Sequence, residues 1–198
     1  MPAVAALLDE ARTAQALPYP QLAQGIRALL LDPSVCVPMR TVAPLAAGGS
    51  LFVMPAFDRR IAITKLITFV PDNPGRGLPA IQGDVVVFDA QDGRRLQVLH
   101  GPTVTARRTA AVSLLAAMEL APVPDGPLLI VGAGVQGKAH LEAFVHGLGG
   151  REVMIASRTA ASADALVAHA RTLGVRAQRS EDADAALREC TLVASCTT

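Results

Sequence analysis

A lysine stands where an alternating strand should be apolar. In RIAITKLITFV, residues 60–70, the odd positions run Ile61, Ile63, Lys65, Ile67, Phe69. The chain has two lysines in all, Lys65 and Lys138. Burying an ammonium is costly unless an anion pairs with it. Either the strand lies at a sheet edge, where the stem packs and the head reaches water, or the position serves an anion. Other cations bear on the second explanation. Arg40 follows the short extended segment VPM, and Arg107 and Arg108 fall in the predicted first turn of a helix opening TARRTAA. Arginines gain nothing from the dipole at a helix N-terminus. That placement fits a pocket for a carboxylate or phosphate, and both explanations stay open at this level.

The second chemical group is LLIVGAGVQGKAH, which carries Gly132, Gly134 and Gly137 as G-x-G-x-x-G. Glycine turns are common, and the pattern alone is weak. Here a four-residue apolar strand precedes it, a helical segment follows, and a second strand ends at Ser157, within one βαβ length. That context predicts a dinucleotide site. Gly132 permits the tight turn, Gly134 lets backbone approach a pyrophosphate, and Gly137 lets helix and strand pack closely. The turn Gly132, Ala133, Gly134, Val135, Gln136, Gly137 then offers free N–H groups to phosphate. An Asp or Glu at the second strand's tip would bond the ribose 2′-hydroxyl of NAD. This chain has Ser157, Arg158 and Thr159 there. Arg158 can grip a 2′-phosphate through charge-assisted bonds, with donors from Ser157 and Thr159. The reading is NADPH, with NADH possible. The alternative for Arg158 is a solvated surface arginine.

These groups need elements to hold them. Residues 1–121 mix short helices and strands. YPQLAQGIRALLLDP reads as a helix stopped by Pro33. SLFVMPAF, RIAITKLITFV and GDVVVFDAQDGRRLQVLHG read as strands, the last a hairpin turning at Gln91–Gly93. Residues 105–120 read as a helix rich in Ala and Leu. APVPDGP, residues 121–127, is a Pro/Gly linker and the predicted domain boundary. Residues 122–198 then alternate: strand 128–131, helix 135–147, strand 152–157, helix 160–173, strand 175–178, helix 182–190, strand 191–196. Alternation of this kind argues for βαβ units and a parallel sheet.

Composition excludes several classes. Of 198 residues, 51% are hydrophobic and 18% charged, with net charge +1 and no basic block. Neither this balance nor the 3% of aromatics suits a nucleic-acid partner. No apolar run is long enough to span a bilayer, and the first fifteen residues carry charges where a signal peptide needs its apolar core. A cytoplasmic protein is expected, without a membrane partner. Cys36, Cys190 and Cys196 are read as small buried thiols in a reducing compartment. The histidines show no metal spacing, and no metal site is predicted.

Taken together, VMPAF, ITKLITFVPDNPGRGLPAIQGDVVVFDAQDG, GPTVTARRTAAVSLLAA and GAGVQGKAHLEAF resemble the ornithine cyclodeaminase/mu-crystallin family. They look most like its bacterial ketimine reductases, which reduce Δ1-pyrroline-2-carboxylate and Δ1-piperideine-2-carboxylate. The resemblance runs from about Gln21 onward. It implies an α/β chain in which a Rossmann-type parallel-sheet domain is preceded by a smaller α+β domain for substrate binding and dimerisation. It implies a homodimer. It implies that residues matching Arg40, Lys65 and Arg108 hold the carboxylate of a cyclic imino acid, and that Arg108 also touches the cofactor. Lys65 is then the one nameable catalytic proton donor, and Thr197, at the last strand's tip, lies near the nicotinamide. The resemblance further implies a longer fold, with the last Rossmann strands, an acidic catalytic residue and a returning tail missing after SCTT.

One departure separates the branches. The cyclodeaminases of this family carry a glutamate three residues before the proline of the Met-Pro motif, and this chain has Phe52 there. That favours the reductase over the redox-neutral, ammonia-releasing ornithine cyclodeaminase. A non-enzymatic, crystallin-like NADP-binding protein is the other alternative, and retention of all three cations argues against it.

Overall fold

The computed structural model describes residues 6–46, 48–149 and 152–197. The chain divides into two compact units, residues 1–17 with 28–105, and residues 18–27 with 106–198. The division runs through two helices instead of falling at the 121–127 linker. The cause is burial. Ala110, Ala111, Leu114 and Leu115 of the long third helix, and Tyr19 and Ala23 of the second, belong to the core of the second unit.

The first unit is a six-stranded mixed sheet in the order β1-β6-β5-β4-β3-β2. Its strands are β1 (Ala6–Leu8), β2 (Thr41–Pro44), β3 (Ser50–Phe57), β4 (Ile61–Phe69), β5 (Ile81–Asp89) and β6 (Arg95–His100). All neighbours are antiparallel except β1 with β6. The alternating segments form strands because branched and aromatic side chains fit a pleated, half-buried surface. Helix α1 (Glu10–Ala16) was not anticipated, although Asp9 caps it by accepting the Arg12 N–H at 2.8 Å. Thr13, fully buried, fastens α1 to the sheet. Its hydroxyl donates to the Leu8 carbonyl and accepts from the His100 N–H. Helix α2 (Tyr19–Leu31) ends two residues before Pro33.

The third helix, α3 (Gly101–Leu120), starts four residues earlier than the sequence suggests, directly after β6. Pro102 sits in its first turn, where the missing N–H costs nothing. Arg107 and Arg108 therefore lie in the second turn. The expectation of two arginines opposed by the dipole at the helix start is corrected accordingly.

The second unit holds a four-stranded parallel sheet in the order β10-β7-β8-β9. The strands are β7 (Leu128–Val131), β8 (Glu152–Ala156), β9 (Arg176–Arg179) and β10 (Leu192–Ser195), joined by α4 (Val135–Leu148), α5 (Ala160–Thr172) and α6 (Ala183–Glu189). Strand β7 is buried on both faces, as the continuous apolar run LLIV requires. Leu128 and Ile130 join the large cluster with α3, α4 and α5, while Leu129 joins Ala156 and the Ala186 of α6 on the opposite face. Each such side chain contributes about 1.5–3 kcal/mol by leaving water.

Among the described residues no helix is long and apolar enough to cross a membrane. The thiols depart from expectation: Cys36 is exposed and Cys190 and Cys196 are half-buried, all three free. Each sits at or beyond an element's end, where packing is incomplete.

Candidate active site

Lys65 occupies the middle of β4, which is hydrogen-bonded on both sides. It lies opposite Met54 of β3 and Val85 of β5. An edge position, one of the two explanations for a lysine here, is therefore excluded. Side chains directly opposite one another in an antiparallel sheet share a face. The face of Lys65 thus carries Ile67, 7% exposed, and Val85, 4% exposed. Lys65 itself is half-buried. Strand β2 pairs Thr41 with Val53. Continuing that register one residue back sets Arg40 across from Met54, on the face of Lys65. Two strand spacings separate their Cα positions, about 10 Å. Both cations belong to the first unit and can reach toward one anion between them. Arg40 is exposed in the segment just before β2.

Phe52 falls on this same face, opposite Ile67 and diagonal to Lys65. The position where the cyclodeaminase pattern expects a carboxylate is thus apolar and beside the lysine.

Arg108 belongs to the second unit and is exposed on α3. Its neighbour Arg107 has a different use. The Arg107 guanidinium stacks on the Tyr19 ring at 3.8 Å and lies 3.8 Å from Glu142 Oε2. Glu142 also accepts from the Tyr19 hydroxyl at 3.1 Å and lies 2.9 Å from His169 Nε2. One carboxylate on α4 therefore fastens α2, α3 and α5. Burial, then the Glu142 charge, pushes the Tyr19 phenol above its ordinary range.

The glycine turn is built in the second unit at a topological switch point. In this strand order the chain runs outward from β7 through β8 to β9, then returns to place β10 on the other side of β7. Crevices at such points, beyond the carboxyl ends of the strands, are where open α/β sheets bind ligands. Gly132 has φ +106° and its N–H donates to the Ala156 carbonyl at 2.8 Å. A methyl group on Gly132 would lie 2.7 Å from the Cys196 carbonyl oxygen and 3.2 Å from the Thr197 nitrogen. The Thr197 backbone is thus beside the turn. A methyl group on Gly137 would overlap the Gly132 carbonyl oxygen, so helix and turn touch through backbone. Gly134 differs. Among the described residues, nothing lies within 4 Å of where its side chain would point. It is the N-cap of α4 and contributes no side-chain cap, leaving the first N–H groups open to a ligand. An uncapped helix start over open space suits a pyrophosphate, so the residues present fit a dinucleotide. Ala133, Val135 and Gln136 complete the turn, and Gln136 Oε1 is buried with no hydrogen-bond partner among the described residues.

At the tip of β8, Ser157 is half-buried while Arg158 and Thr159 are exposed. Arg158 makes no ion pair among the described residues. Thr159 caps α5. Its Oγ1 accepts the Ser162 N–H at 3.4 Å and lies 2.7 Å from Ser162 Oγ. Its hydroxyl is therefore already engaged, which leaves Arg158 and Ser157 as the freer donors. Arg179, at the end of β9, is neutralised by Asp164 and Glu181.

A model of the ornithine cyclodeaminase/mu-crystallin family matches residues 19–198. The chain belongs to that family. It is 39% identical over 167 residues to Δ1-pyrroline-2-carboxylate reductase 1 of Burkholderia multivorans, covering 82% of this chain and 54% of that one. It is 40% identical over 141 residues to the Δ1-pyrroline-2-carboxylate/Δ1-piperideine-2-carboxylate reductase of Azospirillum brasilense, covering 70% and 45%. Among solved structures, the Δ1-pyrroline-2-carboxylate reductase of Thermococcus litoralis in complex with NADH and L-proline superposes with a TM-score of 0.73 at 21% identity. That match covers 95% of this chain and 58% of the other, and carries the fold alone. The chain spans about half the length of the curated relatives it matches.

Sequence reasoning missed the Glu142 hub and a Ser113–His140 pair. Their members are 27 or more residues apart in the chain, and no local spacing announces them.

Proposed function

We propose that this chain supplies the substrate-carboxylate and cofactor sites of an NADPH-dependent reductase of cyclic ketimines, converting Δ1-pyrroline-2-carboxylate to proline and Δ1-piperideine-2-carboxylate to pipecolate in the cytoplasm. The observation that carries it is Lys65, a lysine held in a fully paired strand on an apolar face shared with Arg40 and Phe52. An anionic, otherwise apolar ring is the ligand such a face favours. The names of the two reductases at about 40% identity support the same reading.

When bound, dihydronicotinamide supplies hydride to the imine carbon. The chain's own residues do the rest. Arg40 and Lys65 hold the carboxylate, orient the ring and stabilise negative charge. Lys65 donates the proton that the imine nitrogen gains as its carbon accepts hydride, so imine, hydride and proton give the amine. Gly132–Gly137 and Thr197 hold the cofactor. Arg158 and Ser157 bind its 2′-phosphate, giving preference for NADPH over NADH. The apolar Phe52 beside Lys65 favours reduction over deamination.

The reading includes a homodimer. The segment before β2 and the strands at that edge expose Val37, Met39, Val42 and Phe57, with Met39 91% exposed, and apolar surface of that kind marks an association face. Light scattering of the full-length protein at twice the monomer mass supports it; a monomer removes it. The function is tested by NADPH consumption with either imine. Release of ammonia from ornithine without net cofactor change replaces the reading with the lyase.

A further inference from the structure

Helix α4 has no side-chain cap at its start, yet its first turn is held from inside. His140, 6% exposed, sits one turn into α4. Its Nδ1 lies 2.7 Å from the Gln136 carbonyl oxygen, and its Nε2 lies 2.9 Å from Ser113 Oγ on α3. A carbonyl only accepts, so Nδ1 carries a proton, and in the neutral ring Nε2 is then the acceptor. The Ser113 hydroxyl then donates to Nε2. Its other available acceptor, the Thr109 carbonyl, is farther away at 3.4 Å. The Phe144 ring packs beside the imidazole at 6.5 Å between centroids. The result is a chain from Ser113 through His140 to Gln136, and it ends on the glycine turn.

A buried histidine tied at both ends is usually a packing device. This one bonds backbone within the residues that must keep their N–H groups aimed at a phosphate. The carbonyl of Gln136 belongs to the peptide that carries the Gly137 N–H. Fixing that carbonyl fixes the donor. Gly137 lies hard against Gly132, so a tilt of this peptide moves the whole cradle.

We propose that His140 is a positioning residue for the dinucleotide, holding the first turn of α4 in binding geometry, and that the Ser113 hydroxyl, bonded to Nε2, keeps the imidazole in the orientation that makes the hold. The inference rests on the cofactor reading given above. The histidine touches no ligand and acts through the Gln136 peptide.

The test is NADPH binding by fluorescence titration of the full-length protein, beside thermal melting, for wild type, His140→Leu, His140→Asn and Ser113→Ala. Asparagine places an amide N–H where Nδ1–H stood and cannot reach Ser113. Leucine keeps neither bond. His140→Leu should raise the dissociation constant about three- to tenfold, the range for one lost neutral hydrogen bond. His140→Asn should restore binding to within about twofold of wild type, although both variants lose the Ser113 bond and melt earlier. Ser113→Ala, which keeps the Nδ1–Gln136 bond but removes the anchor at Nε2, should fall between wild type and leucine, and it keeps the proposal testable should His140→Leu not fold. Equal binding by wild type, Asn and Ser113→Ala variants, with any loss in Leu tracking only its melting, overturns the positioning role and leaves the cofactor reading intact. Wild type that binds neither NADPH nor NADH overturns both.

Discussion

Replacing Gly134 and Gly137 separately by alanine distinguishes a glycine kept for a ligand from one kept for the fold. At Gly137 the added methyl meets the Gly132 carbonyl oxygen, a backbone atom that cannot swing aside. Overpacking of this kind costs about 1–3 kcal/mol, and a rigid obstacle places it near the upper end. For a chain of this size, about 3 kcal/mol lowers the melting temperature by roughly 6–12 °C. At Gly134 the methyl meets nothing within 4 Å among the described residues, and the backbone at φ −83°, ψ −164° is open to any L-residue. Alanine is a poorer N-cap than glycine by about 0.5–1 kcal/mol. It also stiffens the unfolded chain, which returns about 0.4–1 kcal/mol. The two nearly cancel, and stability should change by less than about 1 kcal/mol. The proposed cofactor site puts the phosphates in this open space, so NADPH affinity should fall by at least about tenfold, equivalent to 1.4 kcal/mol. Thermal melts and NADPH fluorescence titrations of the two variants read both quantities. Gly134→Ala that melts and binds like wild type refutes the assignment of that space to phosphate. Gly137→Ala that melts like wild type refutes the close-packing account.

Other outcomes follow from particular side chains. The chain has one tyrosine and no tryptophan, so tyrosinate absorbance reports Tyr19 alone. Its folded pKa is raised, so the fold favours the protonated phenol. Stability is then fully present below the ordinary phenol range near pH 10 and declines as pH rises through it. The absorbance should appear only well above pH 10, together with unfolding, and Tyr19→Phe should flatten the alkaline loss. Arg158→Ala should weaken NADPH about ten- to hundredfold, as expected for a lost charge-assisted bond, with NADH binding little changed; a parallel loss for both cofactors would return Arg158 to the solvated surface. Burial pushes the Cys196 thiol up, and burial followed by the Glu189 charge does the same to Cys190. A thiol reagent followed by peptide mass mapping should therefore find the exposed Cys36 labelled first. Prior labelling of Cys196 would contradict its half-buried position.

Much of this was legible locally. Alternation placed β3 to β6 within a few residues, and the strand–helix rhythm placed β7 to β10, because period and turn residues are local signals. The roles of Gly132 and Gly137 were readable for the same reason. The start of α3 was not, since Gly101-Pro102 reads as a turn until the structure shows proline serving as a first-turn residue. Strands β1 and β2 are short, three and four residues, and exist because longer neighbours pair with them. The face of Lys65 followed from parity. Its central position did not, because strand order is a tertiary property. Arg107 resembled Arg108 in sequence, and only partners at Tyr19 and Glu142 separate their uses.

The central claim is that Lys65 is there for the carboxylate of a cyclic imine. The most direct test is NADPH oxidation by the full-length protein with Δ1-piperideine-2-carboxylate, beside Lys65→Met, which keeps the stem's packing and removes the charge. Rapid oxidation by wild type, lost in the variant while its melting temperature holds, is the predicted result. Oxidation unchanged in the variant would leave Lys65 as packing, and no oxidation by wild type with either imine would contradict the account.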